Sequence, residues 1–463
     1  MMRALTLVRA AARVTVWLFA GLLSLVAVWF AANRLLDESP HPERLAFVGT
    51  SSDQVPDSQN VAVGILGLTA PEGSDFVSYG GQVKALYMTQ TPWSQIQDMV
   101  TGPNALRPSV GSDQTICWLD PDQPIWKGCL PFDQAPMVLE QNKRLLERLK
   151  ALRRLDGFSG FFNYYNEAYL LLLRLSVAEM HLALRERNYE AAYRKWRDQY
   201  GFVKGNLRGP DVWVGKAIGL VAFGTTLPFL ESLLLATPEI ARTHAPELLE
   251  LLRPEGMEAF NPGGIARAEY WLLNNSLESL PDDTPLGTDR LHWLAYHLGQ
   301  RNRILNRYSV FAPEYAAALR LPWAEMEIES SRLREKYLYP SAGDFLIDPF
   351  GSLYLATFID SQLGIREMPR QMHVTDGKLR LATLVVRIIN ERITDDDISR
   401  FLASVGPELQ DPFTGTPMRW DPKDRKIYFP DPSDKCIVGA FFRVPVLDQP
   451  KSASPATLNT RAC

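Results

Sequence analysis

The feature that most constrains this chain is an apolar run near its start, which begins at Val14, ends at Ala32 and contains no ionisable side chain. As an α-helix rising about 1.5 Å per residue, the run would be roughly 28 Å long, close to the thickness of the hydrocarbon core of a bilayer. Trp17 and Trp29 lie near its two ends, where indole rings favour the boundary between lipid and water. The run therefore predicts a transmembrane helix over residues 14–32 that anchors the chain in a membrane.

The charges that flank this run indicate its orientation. The basic stub 1–13 carries three arginines, whereas residues 33–44 carry three acidic side chains and two arginines. Because basic flanks stay in the cytoplasm, we expect the N-terminus there and everything after the run on the other side. A cleaved signal peptide is the alternative, but cleavage after Ala32 would put Phe30 where a small residue is required.

A second apolar stretch covers residues 212–236 and is interrupted by Lys216 and Glu231. The uncharged part between them is short for a membrane span and contains two glycines and Pro228. This length and composition favour a buried core helix or helix pair. If the stretch did cross a membrane, the C-terminal half of the chain would return to the cytoplasm.

The remaining patterns predict a mainly α fold with several regions. Prolines and polar residues indicate a linker over 33–60, followed by a mixed segment with a cysteine pair over 61–136. Helical periodicity then predicts an α-helical body over 137–340. An α+β region follows over 341–447, and the Pro/Ser/Thr-rich tail 448–463 is expected to be disordered.

Two parts of the helical body have recognisable patterns. Residues 168–201 contain two amphipathic stripes around a break at Arg187, which resembles one tetratricopeptide unit and predicts a solenoid-like helix pair. No copy at a fixed period follows. Residues 139–152 carry an apolar leucine stripe with basic residues around it, which is either a solvated helix face or a patch for anionic lipid or another partner.

The C-terminal region contains the patterns of a helix start and of a tight turn. Thr394 followed by three aspartates fits an N-cap with an acidic first turn, although consecutive aspartates could also be metal ligands. A β-hairpin is predicted with strands at 418–421 and 426–429.

Three features together resemble a family of uncharacterised single-anchor proteobacterial inner-membrane proteins. They are the segment NVAVGILGLTAP at 60–71 after the anchor, the pair Cys117 and Cys129 before the helical region, and DPFTGTPMRWD at 411–421. The resemblance implies a bacterial inner-membrane protein with an extracytoplasmic, periplasmic helical body. It implies no catalytic residue.

The cysteines could form a disulfide if this part of the chain lies outside the cytoplasm. Eleven residues separate Cys117 from Cys129, and outside the cytoplasm a disulfide between them would stabilise the loop by about 3 kcal/mol in the chain-entropy model. Free buried thiols and metal ligation are the alternatives. Whether Cys436 and Cys463 form a second bridge stays open.

The sequence contains no pattern that identifies a reaction. None of the six histidines has the spacing of a metal site, and the segment 209–216 differs from a phosphate-binding loop in spacing and in lacking the final hydroxyl. The net charge of −4 gives no general attraction for nucleic acid. Several aromatic residues could line a ligand groove or pack in the core: Tyr164, Tyr165, Tyr169, Trp196 and Trp213. We predict no cofactor and no metal, and we assign no catalytic residue.

These observations favour a membrane-anchored periplasmic scaffold or assembly factor that binds the lipid bilayer through its anchor and other envelope proteins through its body. An envelope hydrolase that acts on cell-wall glycan or lipid through carboxylates in a cleft is an alternative. A carrier of an apolar ligand between helices is another.

Overall fold

The computed structural model of the protein describes the following residues: 15, 17, 19–21, 23–25, 27–29, 31, 35, 37–48, 55–88, 93–109, 115–116, 129–130, 132–159, 167–209, 211–278, 290–339, 341–364, 367–429 and 440–447. The predictions made for the stub 1–13, for Val14 and Ala32, for Cys117 and for the tail 448–463 lie outside these residues.

The described part of the chain is mainly helical and carries a small antiparallel sheet near its C-terminal end, which confirms the predicted class at that level. Its α-helices are α1 Pro42–Val48, α2 Val61–Leu66, α3 Phe76–Met88, α4 Trp93–Thr101, α5 Ala135–Gln141, α6 Lys143–Leu152, α7 Glu167–Arg185, α8 Tyr189–Arg208, α9 Trp213–Ala236, α10 Glu239–Thr243, α11 Ala245–Leu251, α12 Pro262–Glu278, α13 Arg290–Leu298, α14 Arg301–Ala318, α15 Trp323–Leu338, α16 Ala342–Ile347, α17 Pro349–Gly364, α18 Glu367–Glu391 and α19 Asp395–Ser404. Its strands are β1 Thr115–Ile116, β2 Cys129–Leu130, β3 Arg419–Asp421, β4 Lys426–Tyr428 and β5 Phe441–Arg443.

Spatial contacts group the chain into two compact units, each assembled from segments that are distant in sequence. The smaller unit comprises Met1–Gly49, Leu273–Glu314 and Ser331–Gly364. The larger unit comprises Thr50–Leu272, Tyr315–Ser330 and Ile365–Cys463. The core of each unit therefore depends on long-range packing rather than on one continuous stretch of sequence.

Helices α7 and α8 form an adjacent pair in the larger unit, as the pattern over 168–201 predicts. Arg187 makes the turn with a positive φ of 59°, and the Asn188 side chain caps α8. On α8, the fully buried rings of Trp196 and Tyr200 stack with their centroids 4.9 Å apart. The Trp196 indole donates a hydrogen bond of 3.1 Å to the Thr226 carbonyl, which ties the pair to α9.

The glycine-rich segment after Asn60 is helical, which its composition did not indicate. Asn60 is the N-cap of α2, and two glycines lie where α2 and α3 meet. A Cβ atom on Gly67 would lie 1.7 Å from the Phe76 carbonyl oxygen, and one on Gly80 would lie 2.0 Å from the Val63 carbonyl oxygen. The two backbones thus approach so closely that only glycine fits at either position.

The C-terminal sheet contains the predicted hairpin. Strands β3 and β4 are antiparallel, with Asp421 opposite Lys426, so the tight turn lies where the sequence places it. Strand β5, which was not predicted, pairs with the other edge of β4 and puts Phe441 opposite Tyr428.

In the smaller unit, the segment that follows the apolar run binds α14. The Asp37 carboxylate accepts hydrogen bonds from the backbone N–H groups of Asn302 and Arg303, at 2.8 and 3.2 Å, in the first turn of α14. This position is favourable because the N–H groups of a first helical turn have no partners within the helix. The Arg44 guanidinium on α1 donates to the Asn302 side chain at 2.7 Å. Residues 37–48 of the expected linker are therefore held against the body.

Candidate functional site

The predicted membrane anchor is the first candidate. The apolar stretch Phe19–Trp29 is helical at each of its described positions, and every described position between residues 15 and 35 is exposed. Trp17 is 77% exposed, Leu25 69% and Val28 66%. Large apolar side chains are costly to expose to water, so covering this surface would stabilise the run.

Helix α9 is the other apolar candidate. Within the described residues, it is the helix that has the length and hydropathy for crossing a membrane, which is weak support because core helices satisfy the same criteria. Of its most apolar window, 56% is buried inside the protein. The N-terminal run and α9 therefore differ in burial although both are apolar.

The two charged residues of α9 have protein partners. The Lys216 side chain is 1% exposed, and its amino group donates to the carbonyls of Leu207 and, at 2.6 Å, Gly209, at the end of α8. Glu231 accepts a hydrogen bond of 2.8 Å from the Arg443 N–H of β5. Lys216, the lysine of the segment 209–216, therefore donates hydrogen bonds to carbonyl groups at the end of a helix.

Helix α6 carries the basic residues that were expected to face solvent or a partner. Arg148 instead donates to three backbone carbonyls, those of Leu68 (2.9 Å), Ala70 (2.5 Å) and Pro71 (2.9 Å). Arg153, just past the helix, donates to the side chains of Ser176 and Gln199. Other members of the set stay exposed, as expected for a solvated face: Lys143, Arg144, Lys150 and Arg154. Two of the six basic side chains therefore hold the fold together.

Glu269 is the buried carboxyl group with the clearest change in proton affinity. Its side chain accepts a hydrogen bond of 2.8 Å from the Trp213 N–H at the start of α9, and the residue is 6% exposed. Burial raises the pKa of Glu269 to about 7, against a weaker lowering by that hydrogen bond. Burial also raises the pKa of the Tyr315 hydroxyl, and the Glu269 charge adds to that shift. The sequence carried no signal for this pair.

A second buried polar cluster lies on α18. The His373 ring lies 5.6 Å from the Trp323 ring and 5.8 Å from the Phe413 ring, and burial lowers its pKa to about 4. One turn later, Asp376 forms an ion pair of 2.6 Å with Arg380, although burial outweighs that pair and raises the Asp376 pKa. These groups lie within the core of the larger unit.

The motif at 411–417 packs on this cluster. The Asp411 carboxylate accepts hydrogen bonds from the Phe413 N–H at 2.8 Å and the Thr414 hydroxyl at 2.7 Å, which closes the turn on itself. Arg380 donates to the Gln410 carbonyl at 2.7 Å and fixes the motif to α18. A Cβ atom on Gly377 would collide with the Phe429 ring. The arrangement accounts for the motif as a packing element.

The aromatic residues proposed for a groove are largely core residues where the structure describes them. Tyr169, Trp196 and Trp213 are 3%, 0% and 4% exposed, which supports core packing over a ligand groove. Tyr164 and Tyr165 lie outside the described residues.

The acidic triplet begins α19, as predicted for a capped helix. Thr394 occupies the N-cap, but its hydroxyl donates to the Asp397 carboxylate at 2.8 Å instead of accepting a backbone N–H. Asp395 forms an ion pair with Arg425. Among the described residues, no three His, Cys, Asp or Glu side chains converge in a way that could hold a metal ion.

Of the pair Cys117 and Cys129, only Cys129 lies among the described residues. Cys129 begins β2 and lies opposite Thr115 of β1 in a parallel pair. Cys117 lies outside the described residues, and no disulfide joins residues within them. The predicted bridge stays a prediction.

The candidates thus comprise an exposed apolar run and several buried polar groups that bind the protein's own backbone. Comparison with known proteins adds no further assignment. No family model, no curated protein and no solved structure matches this chain, so the resemblance to single-anchor inner-membrane proteins stays an expectation.

Proposed function

We propose that the protein is a membrane-anchored periplasmic scaffold or assembly factor that binds other envelope proteins. The observation that carries the proposal is the uniform exposure of the described positions between residues 15 and 35, which include Trp17, Phe19 and Leu25. A helix with this apolar surface is stable when lipid covers it. The flanking charges orient the anchor with its N-terminus in the cytoplasm and the body in the periplasm.

The helical body supports binding over catalysis. Helices α7, α8 and α9 pack against one another, and stacked helices can offer surfaces that bind protein partners. The buried ionisable groups that could do chemistry bind the protein's own backbone instead, as Lys216 and Glu269 do. In an envelope hydrolase we would expect two carboxylates that face each other across a cleft.

A periplasmic body also makes the Cys117–Cys129 disulfide reasonable, since thiols are oxidised there. Alkylation of the unfolded protein before and after reduction measures this directly. We expect the thiols of Cys117 and Cys129 to become reactive only after reduction, and reactivity of both before reduction would contradict the bridge.

The topology is tested by fusing alkaline phosphatase or green fluorescent protein to the C-terminal end. We expect phosphatase activity and no fluorescence. As a control, Leu23→Arg with Leu25→Arg puts two charges into the run, each costing about 3 kcal/mol at the centre of a membrane helix, and should abolish phosphatase activity. Fluorescence without phosphatase activity from the unchanged chain would refute the periplasmic placement.

The scaffold role is tested by mild crosslinking in cells and copurification of the full chain. We expect the same envelope proteins to return in repeated experiments. Repeated recovery of the bait alone would contradict the scaffold and favour the hydrolase or the ligand carrier.

A further inference from the structure

We propose that α16 and the nearby Tyr339 lie in the lipid–water interface, on the periplasmic side of the membrane. The inference rests on the proposed function, in particular on the anchor. It adds a second membrane contact, made by the folded body itself.

The first observation is an exposed apolar patch in the smaller unit. Helix α16 contains no buried residue, and its Phe345, Leu346 and Ile347 are 45%, 69% and 42% exposed. Tyr339, three residues before its start, is 76% exposed. Four large apolar side chains within nine residues form the kind of surface that a short interfacial segment inserts among lipid headgroups.

The second observation is the position of this patch in the fold of the smaller unit. The Arg303 guanidinium contacts Glu38 at 3.1 Å with one nitrogen and Asp344 at 2.8 Å with another. The Arg303 side chain is only 15% exposed, so the bridge is held within the unit. One guanidinium therefore links α16 to the segment that follows the anchor.

Chain length brings this bridge close to the bilayer. The expected span ends at Ala32, and Glu38 lies six residues farther along the chain. Six residues span at most about 20 Å, and the headgroup region of one leaflet is itself about 5–8 Å thick. Phe345 directly follows Asp344, so the chain keeps the patch within reach of the lipid headgroups.

The chemistry of the patch suits this depth. Tyrosine is enriched at membrane interfaces because its ring is apolar and its hydroxyl is polar, and phenylalanine and leucine insert beside it. Continuity with the anchor makes lipid the occupant, because a membrane that holds the run must also approach the chain at Glu38.

The test uses the full chain in liposomes that contain brominated phosphatidylcholine, which quenches fluorophores in contact with its acyl chains. A fluorescent amino acid is placed at position 346, and in a separate variant at position 360. Asp360 is the control because its side chain is polar, 56% exposed and in the same unit, on α17. We expect strong quenching at 346 and little at 360.

Resistance of the same samples to alkaline extraction reports the anchor independently. An extraction-resistant chain without quenching at 346 would overturn the interfacial contact and leave the anchor intact. Equal quenching at 346 and 360 would also overturn it. Quenching at 346 that appears only after envelope proteins are added would overturn it as well. Release of the chain by alkali would refute the anchor, and the inference with it.

Discussion

At the scale of single residues, ionisable side chains that are wholly or partly buried connect distant segments of the larger unit. The half-buried Arg148 shows this most clearly, because its guanidinium donates to three loop carbonyls, at positions 68, 70 and 71. We expect Arg148→Met to lower the free energy of unfolding by roughly 2–4 kcal/mol, since buried carbonyls without partners cost about 1–3 kcal/mol each. The measurement is urea unfolding followed by tryptophan fluorescence.

The matched control lies on the same helix. Arg144 forms an ion pair with Glu72, and its side chain is 62% exposed. Arg144→Met should therefore change the free energy of unfolding by less than about 1 kcal/mol, as exposed ion pairs usually do. A loss in Arg148→Met as small as that in Arg144→Met would show that Arg148 acts as an ordinary surface charge.

Glu269 gives a prediction about pH. Its folded-state pKa of about 7 lies above the ordinary value of 4.5, so the folded form binds the proton more tightly than the unfolded form. The resulting stability is present below pH 4.5 and is lost as the pH rises through 7. The full loss is roughly 3 kcal/mol.

The corresponding variant is Glu269→Gln, which keeps an oxygen to accept the hydrogen bond from the Trp213 N–H and removes the ionisation. We expect its free energy of unfolding, relative to that of the unchanged chain, to rise between pH 4.5 and 8. Urea unfolding at several pH values measures the difference. A difference that stays constant with pH would show that Glu269 is not the titrating group.

At the scale of elements, the crossing of α2 and α3 depends on glycine. Gly80→Ala would put a methyl group against the Val63 carbonyl, and we expect several kcal/mol of destabilisation or failure to fold. Gly81, the next residue of α3, has only the Asp57 carboxylate near its Cβ direction, at 3.7 Å. Gly81→Ala should leave stability unchanged or raise it by up to about 1 kcal/mol, because alanine favours helix.

Thermal unfolding of the two variants measures this contrast. Equal stability of Gly80→Ala and Gly81→Ala would mean that α2 and α3 do not approach as closely as described.

The same crossing shows what the sequence could and could not reveal about the elements. The hairpin β3–β4 was predicted because its turn and both strands are adjacent in the chain, whereas β5 pairs across a longer separation. Helices α2 and α3 were missed because their glycines weaken helical propensity and serve a tertiary contact that propensity does not contain.

In the candidate site too, local patterns were predictable from the sequence and long-range contacts were not. The N-terminal run is a local pattern and could be identified from composition and flanking charges. The roles of Arg148 and Glu269 arise from residues 77 to 80 and 56 positions away, so a helical pattern alone assigned Arg148 to a solvated face. No spacing in the sequence connected Glu269 to the start of α9.

At the scale of the whole molecule, two apolar helices compete for the role of membrane span. The described positions of the N-terminal run are exposed, whereas α9 packs against α7, α8 and α18 in the larger unit. Moving α9 into lipid would also strip Lys216 and Glu231 of their partners, at about 3 kcal/mol for a charge near the bilayer centre. We therefore expect the N-terminal run to cross the membrane and α9 not to cross it, so that the whole chain after the run lies on one side.

Two exposed turns of the larger unit test this expectation, Arg187 before α9 and Arg392 after α18. Arg187→Cys and Arg392→Cys should each add one site for a membrane-impermeant maleimide in intact spheroplasts, relative to the parent chain. Labelling at 187 with protection at 392 until lysis would show that α9 crosses the membrane. Protection of both would place the body in the cytoplasm, since a buried α9 keeps the two turns on one side in either orientation.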